Sequence, residues 1–207
     1  GPPQPVAPPP DEGGGEPAGA PDASDAPDST GALDSTELRR VFGAFPSGVT
    51  AVAALVDGVP AGLAASSFTS VSLDPPLVSV CVAHNSTTWP LLRDRARLGV
   101  SVLGAHQERA CRQLAARGTD RFAGLGWRAT PDGAVLIDDA SAWFDCTVEN
   151  HIRAGDHDIV LLRVHELDAD HAVAPLVFHT GRFRRLESAQ AVTEPSGRLP
   201  GKVKEST

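Results

Sequence analysis

Between residues 49 and 183 the chain keeps breaking into short apolar runs separated by turn-forming residues, and this punctuation limits what it can fold into. Runs at 49–56, 59–66, 68–73, 77–83, 98–103, 142–152, 159–167 and 176–183 each read as a β-strand. Asp57-Gly58 joins the first two as a hairpin, and Asp74-Pro75-Pro76 ends the third. Helical patterns are few. Asp34-x-x-Glu37 resembles a capping box, and Leu38, Val41, Phe42 and Phe45 then recur with helical spacing until Pro46. Short helices are also expected over 89–95 and 107–116, and a glycine-punctuated surface loop over 118–133. Many strands with scattered helices point to a mainly β architecture, a closed antiparallel barrel with helical insertions. Strands do not alternate with long helices and no GxGxxG follows a strand, which disfavours a Rossmann fold.

Residues 1–34 carry seven acidic side chains, no basic ones and almost no large apolar group, so they predict a disordered leader. Residues 187–207, broken by Pro195, Pro200 and Gly201, predict a disordered tail. The folded domain is expected over 35–186, with sixteen acids against fifteen bases, all Arg. The formal net charge of −8 therefore belongs mostly to the leader. A nearly neutral, Arg-rich domain suits small anionic ligands better than a nucleic acid. No apolar run approaches the ~20 residues of a membrane span, so no membrane association is expected. With no Met anywhere, the chain is expected to be a trimmed piece of a longer one.

Cys81, Cys111 and Cys146 are odd in number and lack CxxC spacing, which argues against a disulfide framework and for a reducing compartment, the cytoplasm. Cys81 and Cys146 sit in apolar runs and read as small buried side chains. Cys146, His151, Asp156, His157 and Asp158 crowd one region, but their spacing fits no usual zinc pattern. Cys146 and His151 are an odd number of residues apart on one strand and are expected on opposite faces, so no metal site is predicted. GxSxG, GxxxxGK[ST] and HExxH are all absent.

Two segments are rich in small hydroxyl side chains, at 64–70 and 84–88. Asn85 to Thr88 precede a helix start and read either as its cap or as an anion pocket. Gly155-Asp156-His157 reads either as a plain turn or as a ligand-facing loop.

The run Phe45-Pro46-Ser47-Gly48-Val49-Thr50, followed by Gly62-Leu63-Ala64-Ala65-Ser66-Ser67-Phe68-Thr69-Ser70-Val71-Ser72-Leu73-Asp74-Pro75-Pro76, resembles the flavin reductase-like family. Ser86-Thr87-Thr88-Trp89, Asp120-Arg121-Phe122, Gly155-Asp156-His157 and Pro175-Leu176-Val177-Phe178 continue the likeness in order, so that it covers roughly 38–186. Many relatives carry Asn or Gln at Ala65 or Ser66, and Asn at Ser101. The resemblance implies an FMN-binding split barrel, a homodimer, and NAD(P)H-dependent reduction of FMN or FAD. Reduced flavin would then be supplied to a partner flavin-dependent monooxygenase. It implies that Pro60, Ala61, Gly62, Leu63, Ala64, Ser66, Ser67, Cys81, Val82 and Ala83 line the flavin, with Thr87, Thr88 and Arg121 at its phosphate. Gly155, Asp156, His157 and Asp158 would meet NADH or NADPH, with Ser47 and Gly48 nearby. No side chain is expected to act as acid, base or nucleophile, because the two cofactors carry the chemistry. A flavin-binding electron carrier or sensor on the same barrel is the alternative, and an enzyme like pyridoxamine-phosphate oxidase a further one.

Overall fold

The computed structural model describes residues 33–187. The expected leader and tail fall almost entirely outside the described residues. The elements run α1 (Ser35–Phe42), β1 (Ser47–Gly48), β2 (Thr50–Val56), β3 (Val59–Ala65), β4 (Thr69–Leu73), β5 (Pro76–Ala83), α2 (Trp89–Leu92) and β6 (Leu98–Val102). They continue with α3 (Glu108–Ala115), β7 (Trp127–Ala129), β8 (Val135–Ile137), β9 (Ala142–Ala154), β10 (His157–Ala169), β11 (Val177–His179) and β12 (Arg182–Arg184).

A seven-stranded antiparallel sheet in the order β3-β2-β6-β9-β10-β5-β4 organises the molecule. One apolar cluster takes Val52 from β2, Val80 from β5, Leu98 and Val100 from β6, Cys146 from β9 and Val160 and Leu162 from β10, with Trp89 and Leu92 of α2 plugging it. Side chains from strands along the whole sheet meet in one core only if the sheet curls on itself, and β3 and β5 do come together. The mainly β barrel expected from the strand pattern, and the split barrel implied by the resemblance, is what the chain forms. Burying each of those Leu side chains stabilises the fold by ~2 kcal/mol.

A second cluster lies on the outer face of β2. Ala51 and Ala53 point there, toward Leu103, Leu114, Phe122, Val135, Ile137 and Leu176, while Val52 and Ala54 point into the barrel. β2 is thus covered on both faces, which is why 51–54 reads as an unbroken apolar run. Gly99 lets β6 and β8 approach closely, since a Cβ there would collide with the Val135 carbonyl. Ser101, fully buried, accepts a 2.9 Å bond from the Ile137 N–H and fixes the same contact.

Several boundaries differ from expectation. The loop expected over 118–133 contains β7, which pairs with β8, and its Phe122 is buried rather than on the surface. The single strand expected at 176–183 is two, β11 and β12, turned at Thr180-Gly181 with both residues at positive φ. A β-branched Thr is a poor left-handed residue, so the local preference favoured an extended chain. Helix α1 has its Asp34 cap, with Oδ2 accepting from Thr36 and Glu37 N–H at 3.1 and 3.2 Å. Glu37, however, turns forward to Arg40 instead of back to the cap. The apolar face of α1 is uncovered: Phe42 is 69% and Phe45 79% exposed.

Candidate functional site

β3 is an edge strand, so one side of its backbone is left without a strand partner. Facing it across a gap are the end of β5, the loop 84–88 and the end of α3. The result is a cleft of about 390 Å³ lined by Leu63, Ala64, Ala65, Ser66, Ser67, Cys81, Val82, Ala83, Asn85, Ser86, Thr87, Thr88, Leu114, Ala115, Arg117, Arg121 and His157. Ala64 and Ala65 of β3, the hydroxyls of Ser66, Ser67, Ser86, Thr87 and Thr88, and the side chains of Arg117 and Arg121 share this lining. Size and lining suit a flat nucleotide-sized molecule with an anionic tail.

The structure brings Leu63, Ala64, Ser66, Ser67, Cys81, Val82, Ala83, Thr87, Thr88 and Arg121 together in this cleft, with His157 of the other expected set beside them. Pro60, Ala61 and Gly62 instead line a neighbouring depression with Thr88, Arg121 and Phe122. Gly62 serves packing: a Cβ there would crowd Ala53 and Phe122. Ser47 and Gly48 pair with Phe178 and Val177 and do not line the cleft. They lie instead by a second chamber of about 360 Å³, lined by Val49, Cys111, Arg112, Phe178 and Phe183, which shares Ala64, Ala65, Ser66 and Ala115 with the first.

Cys81 is exposed, against the expectation of a buried thiol, because β4 stops short of it. The Ser67 hydroxyl stands where a strand partner would be, accepting from Cys81 N–H at 2.8 Å and donating to its carbonyl at 3.2 Å. Cys146 is fully buried, and desolvation pushes its thiol up to about 12.

Arg121 is largely committed to protein. Its Nε donates to Ala116 O at 2.7 Å, and one Nη donates to Gly62 O at 3.0 Å and Thr88 Oγ1 at 2.8 Å. It braces β3 against the 84–88 loop and aligns Thr88. Arg117 is exposed at the cleft and makes no ion pair among the described residues. Leu114, Ala115 and Arg117 escaped the sequence reading, since only the three-dimensional packing of α3 brings them here. At 85–88, Ser86 Oγ accepts from Trp89 N–H at 3.1 Å at the start of α2, while Asn85, Thr87 and Thr88 line the cleft.

Gly155 and Asp156 form the two-residue turn between β9 and β10, with Gly155 at φ +65°. Only His157 of this segment lines the cleft. Asp156 Oδ1 holds its Nδ1 at 2.7 Å, and that bond keeps the Asp156 carboxyl below the usual range. Asp158 bonds His84 at 2.8 Å and is lowered for the same reason. A bulge at Glu149 breaks the alternation of β9, and the pairs Cys146↔Val164 and His151↔Val160 put both residues on the core-facing side. The opposite-face expectation is thus overturned, and His151 packs edge-on against Trp89 at 5.8 Å. Among the described residues no three His, Cys, Asp or Glu side chains are placed to share a metal ion.

A single-chain split barrel with a nucleotide-sized cleft along its open edge defines a class of cofactor-binding β proteins. The family model described as "Flavin reductase like domain" matches residues 42–187. The chain belongs to this flavin reductase-like family. A Pseudomonas putida flavin reductase is 39% identical over 146 residues, 70% of this chain and 86% of that protein. The solved Streptomyces globisporus NADH:FAD oxidoreductase SgcE6, in complex with NAD and FAD fragments, is 40% identical with a TM-score of 0.72, over 76% of this chain and 96% of that one. BorF, the flavin reductase component of a bacterial two-component tryptophan halogenase, is 38% identical with a TM-score of 0.70, over 75% and 99%.

Proposed function

We propose that the chain is an NAD(P)H:flavin oxidoreductase that reduces FMN or FAD and supplies it to a partner flavin-dependent monooxygenase. The observation that carries this reading is the cleft itself, which brings small side chains of β3, the hydroxyls of 86–88, Arg117, Arg121 and His157 together in one lining. A flavin bound there supplies the two-electron chemistry, accepting hydride from a reduced nicotinamide.

The protein's task is placement. Ala64 and Ala65 give a flat surface against which a planar ring can lie close. Unpaired backbone groups of edge strand β3 are available to its polar rim. Thr87, Thr88, Arg117 and the remaining Arg121 nitrogen are suited to phosphate. Asp156 fixes the His157 ring, so that imidazole can orient a nicotinamide nucleotide without exchanging a proton. Bringing two planar cofactors into contact is then the main catalytic resource. The second chamber, beside Ser47 and Gly48, offers the additional room a second cofactor requires.

Two further features belong to this reading. The exposed Val41 and Phe42 of α1 and Phe45 of the turn after it are an apolar surface for a second copy of the chain, making a homodimer. Three unbridged cysteines accord with a reducing compartment, the cytoplasm, and no described helix is long and apolar enough to cross a membrane.

The test follows nicotinamide absorbance with purified protein, NADH or NADPH, and FMN, FAD or riboflavin in excess. Many turnovers that rise with free flavin are expected. A single stoichiometric bleaching would make the protein an electron carrier or sensor, and formation of pyridoxal phosphate from pyridoxamine phosphate would place it with the oxidases of related fold.

A further inference from the structure

The two segments assigned above to the flavin phosphate and to the nicotinamide nucleotide belong to different parts of the chain. One is the loop 84–88 after β5; the other is the turn before β10. The β5–β10 ladder ends at the pair Ala83↔His157. At that end of the ladder one residue adds two bonds between the segments, one to the turn and one back to Asp158, which itself pairs with Val82. The His84 N–H donates to Asp156 O at 2.9 Å, and its Nε2 meets Asp158 Oδ1 at 2.8 Å. Among the described residues, no other side-chain hydrogen bond joins 84–88 to 155–158. An ionised Asp158 can only accept, so Nε2 carries the hydrogen. The two side chains are 33% and 29% exposed, so the bond sits at the solvent boundary. His84 itself does not line the cleft; its chain neighbour Asn85 does, as does His157, the neighbour of Asp158.

Resting on the reading under Proposed function, we propose that His84 is a positioning residue that couples the two binding segments through Asp158, so that flavin and nicotinamide nucleotide favour each other's binding. The physical reason is conformational. Residues 84–88 lie outside any strand or helix, and 155–156 form an exposed turn. A ligand that orders one segment restrains the other through the shared bond, and the second ligand then meets a segment already placed. The effect is reciprocal by linkage. The charged and titratable groups around the pair are Asp156 of the turn and His151 and Arg153 of β9. The backbone bond to Asp156 survives any substitution of the side chain, so a His84 variant removes the imidazole arm alone.

The experiment measures NAD⁺ affinity by calorimetry on the full chain, with and without saturating FMN. NAD⁺ cannot donate hydride, so the readout is independent of turnover. In the unaltered protein FMN is expected to tighten NAD⁺ binding about fivefold. His84→Ala and His84→Phe, the latter keeping ring bulk without a donor, should bring that ratio to about one. His84→Gln, whose amide N–H can still reach Asp158, should keep most of it. A ratio unchanged in the Ala and Phe variants overturns the proposal, and so does a Gln variant that behaves like Ala. NADH oxidation in the unaltered protein together with a ratio of one would overturn the coupling alone. Failure to oxidise NADH with the fivefold ratio intact would overturn the reductase reading alone.

Discussion

Thr87 and His157 both line the cleft, and their expected phenotypes separate. His157→Ala should raise the KM for NADH about tenfold while leaving flavin affinity within about twofold, the loss of one oriented hydrogen-bonding group. Thr87→Ala combined with Thr88→Ala should weaken FMN about tenfold and riboflavin hardly at all, since only FMN carries the phosphate. Equal losses for both flavins would move the phosphate elsewhere. The cysteines give a test that needs no turnover. Cys81 is exposed in the cleft, whereas Cys146 is buried with its thiol pushed up to about 12. A thiol-alkylating reagent at neutral pH should modify Cys81 first, FMN should protect it, and Cys146 should react only once the fold opens. Labelling of Cys81 that ignores FMN would exclude the cleft as the flavin site.

The elements differ in how plainly the sequence announces them. Asp57-Gly58, both at positive φ, and the strands it joins fall where the turn chemistry places them. β7 is three residues long and gains its identity only from pairing with β8, so no local pattern could reveal it. The same holds within the cleft. Ser66, Ser67, Thr87 and Thr88 could be carried over from a motif, but Arg117 is brought there by the packing of α3, and the bulge at Glu149 has no sequence mark. Periodicity put Leu38, Val41, Phe42 and Phe45 on one helical face, but α1 ends at Phe42 and buries none of its residues against the described chain. At Gly99, β6 lies directly against the backbone of β8, where a Cβ would meet the Val135 carbonyl. Gly99→Ala should lower stability by ~2–4 kcal/mol, read as a fall in the urea midpoint, because backbone must move to admit one methyl group. Gly58→Ala should cost less, since nothing surrounds it and only its left-handed φ of +80° resists a side chain.

For the molecule as a whole, the uncovered α1 face sets an expectation about assembly. Phe42→Glu should shift the mass seen by light scattering from two copies toward one, and an unchanged mass would remove α1 from the interface. The ladder that ends at Ala83 and His157 has a different kind of consequence. It joins parts of the chain that are far apart in sequence: His84 and Asp158 are 74 residues from each other. Closing so long a loop is an entropic barrier, met late in folding. A nascent chain therefore owns no cleft until β10 has been made and has zipped onto β5. Flavin can neither template the fold nor speed refolding; its contribution falls on the way out, where it should slow unfolding in proportion to its occupancy.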